Sequence, residues 1–119
     1  MVLRFMDNNK DDKYYAKKAI ENIAAIEKYI STISYDQFVL DDELIDAVMF
    51  RFIQLVENIK NISTEFKEQN NGIPWGDIIG FRNGIVHDYG HTDYKIVYET
   101  AVNDLKDLRI AFENYYNLC

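Results

Sequence analysis

Turn-forming and cross-linking residues are scarce in this 119-residue chain, which has one cysteine, one proline and five glycines. Cys119 is the single cysteine of this sequence, so no intrachain disulfide is expected, and a reducing compartment suits the chain. So few glycines and prolines argue against a many-stranded sheet and for a few long helices. Long apolar runs are missing as well, and none approaches the roughly 18 residues of a membrane span. The opening Met1-Val2-Leu3-Arg4-Phe5-Met6 is too short an apolar run for a signal peptide, and acidic residues follow it. The expected location is the cytoplasm, with no membrane partner. Basic charge is also short: 13 Lys and Arg against 20 Asp and Glu leave a net charge of −7. That is the wrong sign for coating nucleic acid without sequence preference. An RNA site on such a chain has to be a small basic island, and a second subunit is one way to complete it. The acidity equally suits a basic partner.

Hydrophobic residues make up 48% of the chain, enough for one packed core and one domain over residues 1–119. Their spacing predicts four main helices. Ala16, Ala19, Ile20, Ile23, Ile26 and Ile30 recur at three- and four-residue steps, predicting a first helix over about 11–31 with Asp11 and Asp12 at its N-terminus. Ser34-Tyr35-Asp36-Gln37 has the spacing of a capping box and predicts a short turn of helix. The stripe Leu44, Ile45, Val48, Met49, Phe52, Leu55, Val56, Ile59, Ile62 and Phe66 predicts one long helix over about 42–69, stopped by Asn70-Asn71-Gly72. Pro74 opens a third helix running to about Tyr89, and Gly90 breaks it. Thr92 or Asp93 caps a last helix carrying Val97, Ala101, Leu105, Leu108, Phe112 and Tyr115. The predicted fold is an all-α, up-and-down bundle.

Chemistry concentrates in Phe81-Arg82-Asn83-Gly84-Ile85-Val86-His87-Asp88-Tyr89. Asn83 and His87 are one turn apart and share a helix face. Arg82 and Tyr89 nearly eclipse on a continuous helix, about 10 Å apart along its axis. Arg82 and His87 diverge by roughly 140°, so one regular helix does not aim them at a single point. Long arginine reach, distortion at Gly84 or a second copy of the helix has to bring them together, and a two-fold dimer apposing two such helices would do it. On periodicity alone a simpler reading stands beside this one: His87 as a surface or hydrogen-bonded residue, Arg82 as an ion-pair partner of Asp77 or a bundle neighbour, and Tyr89 as core with its hydroxyl at the rim.

The segment resembles the R-x-x-x-x-H-x-Y motif of HepT-like proteins in the HEPN superfamily: Arg82, then Asn83-Gly84-Ile85-Val86, then His87, Asp88 and Tyr89. Ile73-Pro74-Trp75 precedes it at the family's interval, and Phe38, Asp41-Asp42 and Asp46-Ala47-Val48 resemble the family's entry into its second long helix. Many relatives carry a Gly-Glu pair in that helix. Glu57 is the candidate for the glutamate here, and Val56 stands at the glycine. After the tyrosine, Gly90-His91 replaces the bulky aromatic found in many relatives.

The resemblance implies a dimeric helical bundle and an endoribonuclease that works without metal or other cofactor. It also implies the toxin half of a type II or type VII-like toxin–antitoxin pair, with an MntA-like nucleotidyltransferase antitoxin as partner. A histidine, with reference pKa about 6.5, suits proton transfer at neutral pH. An arginine's planar fork suits a phosphate. His87 and Arg82 are therefore the expected catalytic pair, supported by Asn83, Asp88 and Glu57. Tyr89 matches the tyrosine that is adenylylated in some relatives, where AMP would place bulk and negative charge beside the arginine. The alternative is a non-catalytic HEPN module that presents substrate to a separate nucleotidyltransferase.

Other features carry less. His91 follows Gly90 in an expected loop near the motif. Asp41-Asp42-Glu43 suits a helix N-terminus better than a cation site. Lys10, Lys13, Lys17 and Lys18 read as a solvated helix face. No zinc spacing or glycine-rich phosphate loop occurs in the sequence.

Overall fold

The computed structural model describes residues 10–118, so the Met1–Met6 run and Cys119 lie outside the described residues. Within them the regular structure is helical throughout. The order is α1 (Asp12–Ile30), α2 (Tyr35–Val39), α3 (Asp42–Lys60), α4 (Thr64–Gln69), α5 (Trp75–His87), a 3-10 turn (Tyr89–His91), α6 (Tyr94–Asn103) and α7 (Leu105–Leu118). No described helix is long and apolar enough to cross a membrane.

Side-chain caps start most of these helices. Asp11 accepts from the Tyr14 N–H at 3.0 Å, and Asp41 from the Leu44 N–H at 3.0 Å. Ser34 and Gln37 form the expected reciprocal box around the start of α2. Asp93, rather than Thr92, caps α6. Pro74 is the cap residue of α5, one position before the predicted one.

The apolar stripes then meet. α1 packs along α3 and α7, α5 lies on the flank of α3, and α2 bridges α3 and α6. Ala16, Ala19, Ile23 and Ile26 of α1 are fully buried, as are Val48, Met49 and Ile59 of α3 and Phe112 of α7. Each large side chain removed from water contributes about 1.5–3 kcal/mol before the entropy of ordering it is counted. Arg109 adds a polar tie, with Nε 2.9 Å from Glu27 of α1 and Nη1 3.0 Å from Glu113.

Three further boundaries differ from the sequence expectation. The predicted helix over 42–69 is two helices. Asn61 ends α3, and Ser63 caps α4 by accepting from the Phe66 N–H. Asp12, at the start of α1, takes both the Ser63 N–H (2.8 Å) and the Ser63 hydroxyl (2.5 Å), so a tertiary partner fixes the break. The last predicted helix breaks at Asp104, whose N–H returns to Thr100 and closes α6. α5 stops at His87 rather than Tyr89, because Asp88 leaves helical geometry at φ −142°, ψ 48°.

Candidate active site

α5 is anchored at both ends. Its first residue, Trp75, donates its indole N–H to the Lys67 and Asn70 carbonyls at 3.2 and 3.1 Å, which takes up orphan acceptors at the end of α4. Ile78, Phe81 and Ile85 recur at steps of three and four and face inward. Ile85 is buried, and the Phe81 ring meets Phe52 of α3 edge-on with centroids 5.1 Å apart. On the helical wheel Arg82 is about 60° from Ile85, beside α3, while His87 is about 200° from it, facing solvent.

The side chains follow that placement. Arg82 is half-buried, with Nη2 2.5 Å from Glu57 Oε1 and Nη1 donating to Asn83 Oδ1 at 3.0 Å. The Glu57 contact is close enough for an ion pair but lacks the alignment of a hydrogen bond, and Arg82 Nε is buried with no acceptor among the described residues. Asp77 is not the partner of Arg82. His87 is exposed and makes no hydrogen bond or ion pair among the described residues. Asn83 holds Arg82 rather than orienting His87. Asp88 Oδ1 lies 2.9 Å from Nδ1 of the exposed His91.

Tyr89 departs most from expectation. Because α5 ends at His87, Tyr89 sits in the 3-10 turn and no longer eclipses Arg82. Its hydroxyl donates instead to Asp46 of α3. Arg82 thus meets α3 at Glu57 and Tyr89 meets it at Asp46, eleven residues or about 16 Å apart along the axis. The two helices run antiparallel, with the ends of the motif pinned at opposite stations. Glu57 was named from the sequence only through the family resemblance. Asp46 as a partner was not named, although eleven residues turn a helix through three revolutions and about 20°, which puts Asp46 and Glu57 on one stripe.

Partial burial comes first, then the hydrogen bond and charge of Asp46, with a smaller contribution from Tyr94. Together they push the Tyr89 phenol up to about 12 from 10.0. A raised acid of this kind favours the folded state below pH 10, and that contribution is lost as pH climbs from 10 through 12. The ring is 40% exposed, so solvent screens much of the effect. Replacing Asp46 by Asn should bring the Tyr89 titration part of the way back toward 10, since burial remains. Spectrophotometric titration against a Tyr89→Phe reference measures it, and an unchanged titration would contradict the Asp46 contact.

A separate groove of about 390 Å³ lies between α3, α5 and the α6–α7 junction. Phe52, Phe81 and Leu105 are among its walls, and Asp77, Asp104 and Asp107 also line it, a sign of charge that repels phosphate. Phe81 reaches this groove, but Arg82, Asn83, His87 and Tyr89 do not line it. Among the described residues no group of three or more His, Cys, Asp or Glu gathers as a metal site would.

Residues 19–114, which contain Glu57, Arg82, His87 and Tyr89, match the family model described as "Ribonuclease HepT-like". The chain belongs to the HepT-like ribonuclease family. It is 27% identical to a "Putative RNase" of Caldanaerobacter subterraneus subsp. tengcongensis, over 83% of this chain and 88% of that protein. It is 28% identical to a "Probable ribonuclease HepT" of Thermococcus cleftensis, over 87% of this chain and 94% of that protein. A third relative, "Gamma-glutamylcyclotransferase and putative RNase" of Methanocaldococcus jannaschii, is 33% identical over 84% of this chain, which spans 45% of that longer protein. No solved structure matches. The all-helical bundle agrees with the HEPN-like fold expected from the motif.

Proposed function

We propose that the chain is a metal-independent endoribonuclease and the toxin of a type II or type VII-like toxin–antitoxin pair. The observation that carries this is His87: the imidazole of a HepT-like motif, held at the end of an anchored helix, open to solvent and with no competing partner among the described residues. A neutral imidazole there can take the proton of a ribose 2′-OH as that oxygen attacks the adjacent phosphorus. Arg82 supplies charge for the non-bridging oxygens, with Glu57 and Asn83 holding its guanidinium. Membership of a ribonuclease family and relatives named as RNases support the same reading.

One protomer turns Arg82 toward α3 and His87 away from it, so the reading includes a two-fold dimer whose second copy completes the cleft. Phe50, Val86 and Tyr89 are 57%, 42% and 40% exposed. Phe50 follows Asp46 by one turn and Val86 precedes Tyr89 by three residues, so an apolar surface flanks the Asp46–Tyr89 contact. A second copy would cover such a face.

Silencing is assigned to Tyr89, as the acceptor of AMP from an MntA-like nucleotidyltransferase. Attachment breaks the bond to Asp46 and places a phosphodiester near two acidic side chains and the catalytic turn. Incubation with that partner and ATP should add the mass of one or more AMP groups to the chain and none to Tyr89→Phe. An unmodified wild-type mass would contradict it. The nuclease itself is tested by RNA cleavage with purified protein, and the toxin role by growth arrest on expression without the partner.

One observation favours a second reading. Arg82 is engaged by Glu57 and Asn83 within its own chain, as a structural ion pair would be. On that reading the chain is a non-catalytic HEPN module serving a nucleotidyltransferase, and purified protein leaves RNA intact.

A further inference from the structure

RNA cleavage through the 2′-OH moves two protons. One leaves the attacking 2′-oxygen, and another must reach the 5′-oxygen as the P–O bond breaks. Attack is in line, so these oxygens lie on opposite sides of the phosphorus, and one imidazole does not serve both in a single step. The motif contains one histidine. The structure supplies a second imidazole beside it.

After His87 the chain does not run off into solvent. The Asp88 N–H still closes the last turn of α5 on the Gly84 carbonyl at 3.0 Å. The His91 N–H returns to the Asp88 carbonyl at 3.0 Å, and the Thr92 hydroxyl reaches the same carbonyl at 3.3 Å. This 3-10 turn brings His91 Nδ1 to 2.9 Å from the carboxylate of Asp88, the residue next to His87. Tyr89, the first residue of the turn, is tied to α3 through Asp46, so the turn is held to the bundle. The His91 side chain is 84% exposed, which leaves its other ring nitrogen open to a bound polymer.

We propose that His91, positioned by Asp88, is the second proton-transfer group of the ribonuclease site. The assignment rests on the ribonuclease reading above. With Nδ1–H donating to Asp88, Nε2 faces outward and the ring is held in one orientation. His87, with no such partner, takes the 2′-OH proton. The 2′-oxygen forms its bond to phosphorus, the P–O5′ bond breaks, and His91 Nε2 gives its proton to the departing 5′-oxygen. The products are a 2′,3′-cyclic phosphate and a 5′-hydroxyl, and water returns the two histidines to their starting states. Asp88 is a positioning residue, since it acts on the ring and not on RNA. As an exposed ion pair the contact would contribute little to folding, so the variants below keep the fold.

The test compares two substrates. One is a short single-stranded RNA, whose alkoxide leaving group needs a proton. The other is a uridine 3′-(4-nitrophenyl phosphate), whose leaving group departs without one. On RNA, His91→Ala should be slower than wild type by about 100-fold, with Asp88→Asn between the two. On the nitrophenyl ester both should cleave within a few-fold of wild type, while His87→Ala is slow on both. His91→Ala as fast as wild type on RNA, or equally impaired on both substrates, overturns the assignment and leaves the ribonuclease reading standing. Wild type inert toward both substrates overturns that reading, and the assignment with it.

Discussion

Replacing His87 by alanine is expected to slow RNA cleavage by about 10²–10⁴-fold, the range for loss of a general acid or base, with no measurable change in unfolding. The separation of the two effects follows from its position. His87 sits about 200° from the buried Ile85 on α5, is exposed, and touches no hydrogen-bond or ion-pair partner among the described residues. Exposed substitutions of this kind change stability by less than about 0.5 kcal/mol. Arg82→Ala should separate less cleanly, because it also strips Glu57 of its cation and removes packing against α3. Cleavage rates and melting temperatures from the same preparations are the measurement. A His87→Ala protein that cuts as wild type does would move the chemistry elsewhere.

Phe112→Ala is expected to have the largest effect on stability, about 3–5 kcal/mol. The ring is fully buried and stacks on Phe66 with centroids 5.3 Å apart and planes 6° from parallel. Trp75 lies 6.2 Å away on another side, and Tyr115 meets Phe66 edge-on at 5.0 Å. The cluster joins α4, the first residue of α5, and α7, so its loss leaves a cavity under the helix that carries the motif. Against a domain stability of about 5–15 kcal/mol, that is about a fifth of the total or more. Urea unfolding should show a lower midpoint at unchanged slope. A loss below about 1 kcal/mol would mean that the three helices repack without the ring.

Much of the bundle was readable from spacing. Ile23, Ile26 and Ile30 on α1, and Val48, Met49, Phe52, Leu55 and Ile59 on α3, are buried as their periodicity requires. The capping box of Ser34 and Gln37 formed as read. Periodicity failed where it carries no information about breaks. Ile59, Ile62 and Phe66 keep helical steps across the α3–α4 junction, so the stripe reads as one helix. The interruption depends on Asp12, 51 residues before Ser63. Val97, Ala101, Leu105 and Leu108 likewise stay in step across the break at Asp104.

The candidate site was half legible. Composition and order singled out Arg82 through Tyr89, and the family resemblance supplied Glu57, which the fold brings to Arg82. The turn at Asp88 was not visible, and with it went the direction of Tyr89. Gly90 marked the end of helix without saying that Asp88 had already left it. His91 looked like a loop residue near the motif. Only the 3-10 turn places it against Asp88.

Metal-free RNA cleavage by this chain is tested most directly by incubating purified, unmodified wild-type protein with single-stranded RNA in EDTA, beside His87→Ala and Arg82→Ala. Cleavage by wild type alone, leaving 2′,3′-cyclic phosphate ends, is the predicted result. Intact RNA with folded wild-type protein whose mass shows no AMP would contradict it and favour the non-catalytic module.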